Sequence, residues 1–303
     1  MSVDLSTRVG DVSLRSLVLT AAGTSGYGDE LSGYGDLREL GGVVVKSLAA
    51  FAWAGNPAPR VAGWGEHLLN SVGLAGPGVA AWRRDWLPAL DDRGVTVVGS
   101  IWGRTVDEFA AAAAAMQGSS VVALEVNVSC PNLDEHATLF AHSARATAAV
   151  VAACGVAEVP LWVKLSPNTP DLVEIAGRAL DAGAEGLVLV NTLLGLVIDV
   201  ERRVATLGHG TGGVSGPGLF PVALRAVYEC RAAYPTVPIV GVGGVRRAED
   251  VVAMVMAGAD AVEVGSAIFA DPRAPWRLQR GVARWMRRHG VSSLDEIRGA
   301  AHG

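Results

Sequence analysis

Eight short apolar runs recur along the chain, near residues 17–20, 42–46, 96–101, 123–127, 161–165, 186–191, 238–241 and 261–264, and most are separated by Ala-, Leu- and Arg-rich stretches of helical character. This alternation predicts parallel strands joined by helical crossovers. Strands that are apolar almost throughout, rather than at every second residue, predict a sheet covered on both faces. Eight such units in about 250 residues is the size of a TIM barrel, so the expected fold is α/β, a single (β/α)8 barrel domain spanning residues 1–303. An open doubly wound sheet is the alternative, and the lack of an early Gly-x-Gly-x-x-Gly turn weighs against it. Helices are expected at 106–117, 143–154, 171–181, 221–234 and 248–257, several ending in glycine, as at Ala182-Gly183 and Ala257-Gly258. Two intervals, 47–95 and 192–237, are about twice the usual unit length, which places long insertions after strands two and six.

Charge and cysteine usage exclude several classes of function. A net charge of -5 argues against a nucleic-acid surface, because phosphate contacts need clustered Lys and Arg. The first apolar run, Leu17 to Ala22, is too short for a signal peptide. The most apolar window, Gly186 to Ile198, is interrupted by Asn191 and Thr192, so it does not predict a membrane span. The expectation is a cytoplasmic protein. Three cysteines (Cys130, Cys154 and Cys230) without a Cys-x-x-Cys spacing exclude a disulfide framework and an all-cysteine iron–sulfur cluster, which needs four ligands. Any such cluster would belong to a partner.

Of 25 Lys and Arg residues only two are lysine, Lys46 and Lys164, and each closes an apolar β-branched run. Asparagine is also scarce, at positions 56, 70, 127, 132, 168 and 191. Lysine is a compact point charge whose pKa responds to burial, and an asparagine amide offers donor and acceptor to the edge of a flat heterocycle. The survivors predict a pocket that grips such a ring and sets two ammonium groups near developing negative charge. Codon bias is the competing explanation.

In a TIM barrel the reactive groups lie at the C-terminal ends of the strands. That rule selects Lys46 and Ser47, Ser100, the segment Asn127 to Asn132, Lys164, Asn191 and Thr192, Gly243 and Gly244, and Gly265 and Ser266. The glycines after strands seven and eight predict a phosphate site, although glycine also relieves crowding at such turns. In Asn127-Val-Ser-Cys-Pro-Asn132 the proline keeps the loop out of helix, so the Cys130 thiol can project over the strand end and act as a base. Cys154 and Cys230 read instead as buried, inert residues. His67, His136, His142 and His209 lack a metal-ligand spacing and read as surface or loop residues.

Along essentially its full length the chain resembles the class 1 dihydroorotate dehydrogenases. The resemblance rests on Gly23-Thr-Ser-Gly-Tyr-Gly28, Lys46-Ser47, Gly55-Asn-Pro-Ala-Pro-Arg60, Asn70-Ser-Val-Gly-Leu74, Asn127-Val-Ser-Cys-Pro-Asn132, Lys164-Leu-Ser-Pro-Asn168, Asn191-Thr-Leu-Leu194, Gly213-Val-Ser-Gly-Pro217, Gly241-Val-Gly-Gly244 and Gly265-Ser266. It implies an FMN-containing barrel that oxidises dihydroorotate to orotate in pyrimidine biosynthesis. Cysteine at 130 resembles class 1, and the wording Leu69-Asn-Ser-Val-Gly-Leu74 is closer to subclass B, which implies a homodimer core and an electron-transfer subunit carrying FAD and a 2Fe-2S cluster.

By the same resemblance, Cys130 removes the C5 proton while the C6 hydride passes to flavin N5. Asn70, Asn127, Asn132, Asn191, Thr192 and the Gly73-Leu74 backbone hold the substrate, with Lys46 between it and the flavin. Lys164 stabilises charge on the reduced ring system. Ala22, Lys46, Ser47, Ser100, Asn127 and Val190 also fall on flavin-contacting positions, and Gly216, Gly243, Gly244, Gly265 and Ser266 wrap the phosphate. Three positions depart from the family pattern: Ala22 replaces a common serine, Ser100 a common asparagine, and Leu133-Asp-Glu-His-Ala-Thr138 lacks the usual paired glycines. Two other readings stay open at this point, a flavin reductase of another dihydropyrimidine and a redox-inactive barrel serving as a binding or scaffold subunit.

Overall fold

The computed structural model describes residues 3–129 and 140–303. Each of the eight apolar runs forms a strand: β1 (Val18–Thr20), β2 (Gly42–Val44), β3 (Val97–Ile101), β4 (Ala123–Asn127), β5 (Leu161–Leu165), β6 (Gly186–Leu189), β7 (Ile239–Val242) and β8 (Ala261–Val264). Every neighbouring pair is parallel, and β8 closes on β1, giving a barrel in simple sequential order. Side chains on the outer face of the strands join those of the surrounding helices in one large core, as Val97, Val163 and Leu187 do with Phe109, Val150 and Ile175. A second, smaller core fills the barrel itself, with Leu19, Val44, Val98, Trp162, Val188 and Val240. Two apolar surfaces on each strand explain why the runs carry so little polar alternation.

The helices are α1 (Val79–Asp85), α2 (Leu87–Asp92), α3 (Val106–Met116), α4 (Ala144–Cys154), α5 (Leu172–Asp181), α6 (Phe220–Ala233), α7 (Ala248–Met256), α8 (Ala267–Ala270) and α9 (Ala274–His289). Side-chain caps start two of them: Thr105 accepts from the Glu108 N–H before α3, and Ser143 from the Ala146 N–H before α4. No described helix is long and apolar enough to cross a membrane.

Two features lie outside the eight-unit pattern. An antiparallel hairpin, Thr7–Val9 with Val12–Leu14, sets Val9, Val12 and Leu14 into the inner core and closes the N-terminal end of the barrel. The two long intervals also meet: strands Val61–Trp64 and His67–Asn70 from the first join Leu193–Gly195 and Gly212–Ser215 from the second in one four-stranded sheet. Gly213 pairs with Asn70 and Gly195 with Gly212, so the sheet carries Asn70 to the C-terminal mouth.

Candidate active site

One cavity opens at that mouth. Its wall includes Ala22, Lys46, Ser47, Asn70, Gly73, Leu74, Asn127, Lys164, Val190, Asn191, Thr192, Gly243, Gly244, Gly265 and Ser266, residues from strand ends scattered over most of the chain. Ser100 lies one level lower, fully buried in β3, and reaches the wall only through Ser47, with the two hydroxyls 2.8 Å apart. Gly216 sits just behind the wall, next to Ser215. Cys130, Pro131, Asn132, the segment 133–138 and His136 lie outside the described residues.

Two glycines show why the wall has its shape. Gly23 adopts φ +81°, and a Cβ there would stand 3.1 Å from Cδ of Lys46, so the bare backbone leaves a path for the lysine stem. At Gly244, φ is +70° and a Cβ would fall 2.5 Å from the Phe220 nitrogen, which only glycine tolerates. Gly265 differs, because an added Cβ would meet only Ala21, at 3.7 Å, and would otherwise project into the cavity. The missing side chain there leaves cradle space beside Ser266, the kind of opening a phosphate-bearing group can enter close to backbone.

The polar side chains form a directed relay. Asn191 Nδ2 donates to Ser129 Oγ at 2.7 Å, and Ser129 Oγ donates to Asn127 Oδ1 at 2.8 Å. Asn127 Nδ2 donates to Ser47 Oγ at 3.2 Å, and Ser100 Oγ donates to Glu125 Oε1 at 2.9 Å. With the Ser100 proton committed to Glu125, the Ser47–Ser100 contact runs from Ser47 to Ser100. Every donor therefore points inward, and the relay ends on a carboxylate. This network fixes the orientations of the Asn127 and Asn191 amides.

Below the relay, Lys164 meets two acids that residue-by-residue reading of strand ends does not reach. Lys164 Nζ donates to Glu125 Oε2 at 3.1 Å and to Glu263 Oε2 at 2.9 Å. Both glutamates are 0% exposed and Lys164 is 5% exposed. The two carboxylates hold Lys164 protonated, against the opposing effect of its burial. Burial pushes Glu263 up to about 8, with the negative charge of Glu125 adding to the rise and Lys164 opposing it. The signal was present in the sequence: Ala123-Leu-Glu-Val-Asn127 and Ala261-Val-Glu-Val264 each carry an acid in the middle of an apolar strand. A charged side chain there must be paired or neutral.

The remaining candidates divide clearly. Cys154 and Cys230 are buried in the outer core, and burial pushes each thiol up to about 12, consistent with inert packing. His142 and His209 are exposed. His67 is not a free surface residue: it lies in the strand His67–Asn70, and its Nε2 accepts from the Gly218 N–H at 3.0 Å. The other two asparagines fasten loops, Asn56 by donating to Ser71 Oγ and Asn168 by donating to the Thr192 carbonyl and accepting from the Leu194 N–H. Thr24, Ser71 and Gly213, which lie in the motifs that carry the resemblance without an assigned role, also line the cavity, as does Phe269, which lies in none of them. Phe269, 60% exposed, follows Gly265-Ser266 by a few residues but has no composition signal of its own.

The family model described as Dihydroorotate dehydrogenase matches residues 4–286. The chain is 40% identical to the catalytic subunit of dihydroorotate dehydrogenase B (NAD(+)) from Trichlorobacter lovleyi, over 100% of both chains. Similar relatives carrying that same description come from Desulforamulus reducens, 39% identical over 100% of both chains, and Desulforudis audaxviator, 42% identical over 100% of this chain and 99% of the relative. The match covers nearly the whole chain, and the chain belongs to the dihydroorotate dehydrogenase family.

Proposed function

We propose that this chain is the catalytic subunit of a cytoplasmic enzyme of pyrimidine biosynthesis that oxidises dihydroorotate to orotate, with FMN as its resident cofactor. The carrying observation is the convergence in one cavity of an ammonium at its base, oriented amides on one side and side-chain-free backbone at Gly243, Gly244 and Gly265 on another. A ring with an anionic edge, a polar substrate and a phosphate each find the chemistry they need there. Gly243, Gly244, Gly265 and Ser266 would hold the phosphate, and Lys164, Ser47, Ala22 and Val190 would contact the ring system. When bound, FMN supplies a two-electron acceptor for the hydride leaving C6.

The chain's own residues do the rest. Cys130 takes the proton from C5, so that the C5–H and C6–H bonds are both lost and a C5–C6 double bond forms. Asn70, Asn127, Asn132 and Asn191 read the amide edges and carboxylate, and Thr192 and the Gly73-Leu74 turn complete the grip. Leu74, at φ +58° immediately after Gly73 at +68°, makes that turn tight enough to present backbone to the substrate. Lys46, reaching past Gly23, would place its positive charge between the substrate and the flavin.

The relatives are named as catalytic subunits of an NAD(+) enzyme, which supports a second subunit for this chain as well; by the resemblance, that subunit would transfer electrons through FAD and a 2Fe-2S cluster. Exposed Leu196, Ile198, Val200 and Val204, on and beside the hairpin Ile198–Asp199 with Val204–Ala205, support a chain that works with others, as in a homodimer core. Anaerobic titration tests the reading: the purified protein is yellow and bleaches with dihydroorotate. A colourless protein that FMN does not reconstitute overturns it, and bleaching by an uncharged dihydropyrimidine but not by dihydroorotate reassigns the substrate.

A further inference from the structure

The Glu125–Lys164–Glu263 cluster holds two carboxylates and one ammonium in the dry interior of the barrel. With both acids ionised the cluster would carry an uncompensated negative charge, which a dry interior strongly disfavours. The donors decide which acid is ionised. Glu125 receives Ser100 on one oxygen and Lys164 on the other. Glu263 receives Lys164 on Oε2 alone, and its buried Oε1 has no donor. A carboxylate oxygen sealed from water without a donor is the atom on which a proton belongs.

We propose that Glu263 carries a proton at neutral pH and shares it with Glu125, so that the cluster is neutral, and that loss of this proton weakens binding of FMN above Lys164. Glu263 is thus a positioning residue: it holds Lys164 in place without cancelling the charge Lys164 presents to the cavity. The link to FMN rests on the proposed function, whereas the proton itself does not. The cross-strand neighbours of Glu263 are Leu19 and Val242. The inner core around it presents Val44 from β2, Val98 from β3 and Val188 from β6, so among the described residues Lys164 and Glu125 are the charged groups acting on it. Its folded-state value of about 8 lies above the ordinary 4.5 of a glutamate, consistent with a proton held through neutral pH and released as pH rises past 8.

Infrared difference spectra between the full-length wild type and Glu263→Gln, both without flavin, test the proton directly. Expected at pH 7 is a protonated-carboxyl stretch that the substitution removes and that fades in wild type as pH passes about 8. Glu125→Gln should remove it as well, because the one remaining carboxylate then pairs with Lys164 as an anion. Absence of a band sensitive to Glu263→Gln overturns the proposal, and a band that survives Glu125→Gln overturns sharing. Equilibrium FMN titration then tests the consequence: the wild-type dissociation constant rises about tenfold between pH 7 and 9.5, the effect of one unscreened charge at close range. In Glu263→Gln, neutral at every pH, it stays flat. Identical pH profiles in the two proteins overturn the coupling. Failure of both to bind FMN at any pH strikes the proposed function and leaves the infrared result standing.

Discussion

The two ends of this barrel are built from the same eight strands and have opposite character. At the N-terminal end the hairpin residues Val9, Val12 and Leu14 pack on Leu19, Val98 and Trp162, and the seal is apolar. Toward the C-terminal end the inward positions turn polar within one or two residues: Ala123 is followed inward by Glu125 and then Asn127, Trp162 by Lys164, and Ala261 by Glu263. Strand geometry allows this because every second residue faces the barrel axis. One end therefore serves stability by burying apolar area. The other gives some of that burial up to hold charge and oriented amides, which function requires and stability alone does not.

Substitutions at the two ends should separate these roles. The largest effect is expected for Cys130→Ala, which keeps FMN bound but slows dihydroorotate-driven bleaching by several orders of magnitude, as loss of a general base would. Stopped-flow reduction under anaerobic conditions measures it, and an unchanged rate removes Cys130 from the chemistry. Next is Lys164→Met. It leaves Glu125 and Glu263 without their cation, and the expected loss is about 3–5 kcal/mol of stability at neutral pH. With Lys164 gone, a buried negative charge has no cation beside it and penalises the folded state, so the loss shrinks as pH falls and that charge is neutralised. Denaturant unfolding at two pH values checks the sign; a loss that does not diminish in acid would mean that packing, not charge, dominates. Leu14→Ala, at the sealed end, should cost about 2–5 kcal/mol at every pH, with the FMN dissociation constant of the folded protein unchanged. A Leu14→Ala protein with weakened FMN binding would break the division between the ends.

The sealed end and the open end were also unequally legible in the sequence. All eight strands announce themselves because an apolar run of Val, Leu and Ile is sufficient evidence for a strand buried on both faces. The hairpin at Thr7–Leu14 does not, because each of its strands has only three residues, with Arg8 and Ser13 exposed between buried neighbours. The mouth was legible through rarity and position, as Lys46, Lys164, Asn127 and Asn191 show. Glu125 and Glu263 were passed over because the strand-end rule looks one turn of the pleat too high, at the residues that meet ligand rather than those beneath them. The pairing of the two long intervals into one sheet was also hidden, since it joins Asn70 to Gly213 across 143 positions and no local pattern encodes such a partner.

The smallest expected effect bears on the mouth alone. Ala22 follows β1 by two residues and lines the cavity, at one of the positions where the sequence departs from the pattern that the resemblance implies. It is half-buried, with its neighbour Ala21 against the Gly265 side of the cavity, so a serine adds one oxygen at a position that already tolerates a Cβ. Ala22→Ser should leave the melting temperature within error, because the hydroxyl can remain hydrated in the open cavity. If the ring system of FMN lies against this wall, the new donor should tighten FMN binding by about fivefold, the worth of one net hydrogen bond of about 1 kcal/mol. Fluorescence-quenching titration resolves a change of that size. An unchanged dissociation constant would shift the ring away from the end of β1, and weaker binding would mean that the wall closes on the cofactor too tightly for an added oxygen. The result therefore locates one edge of the cofactor, whereas Leu14→Ala, with a far larger energetic effect, locates nothing.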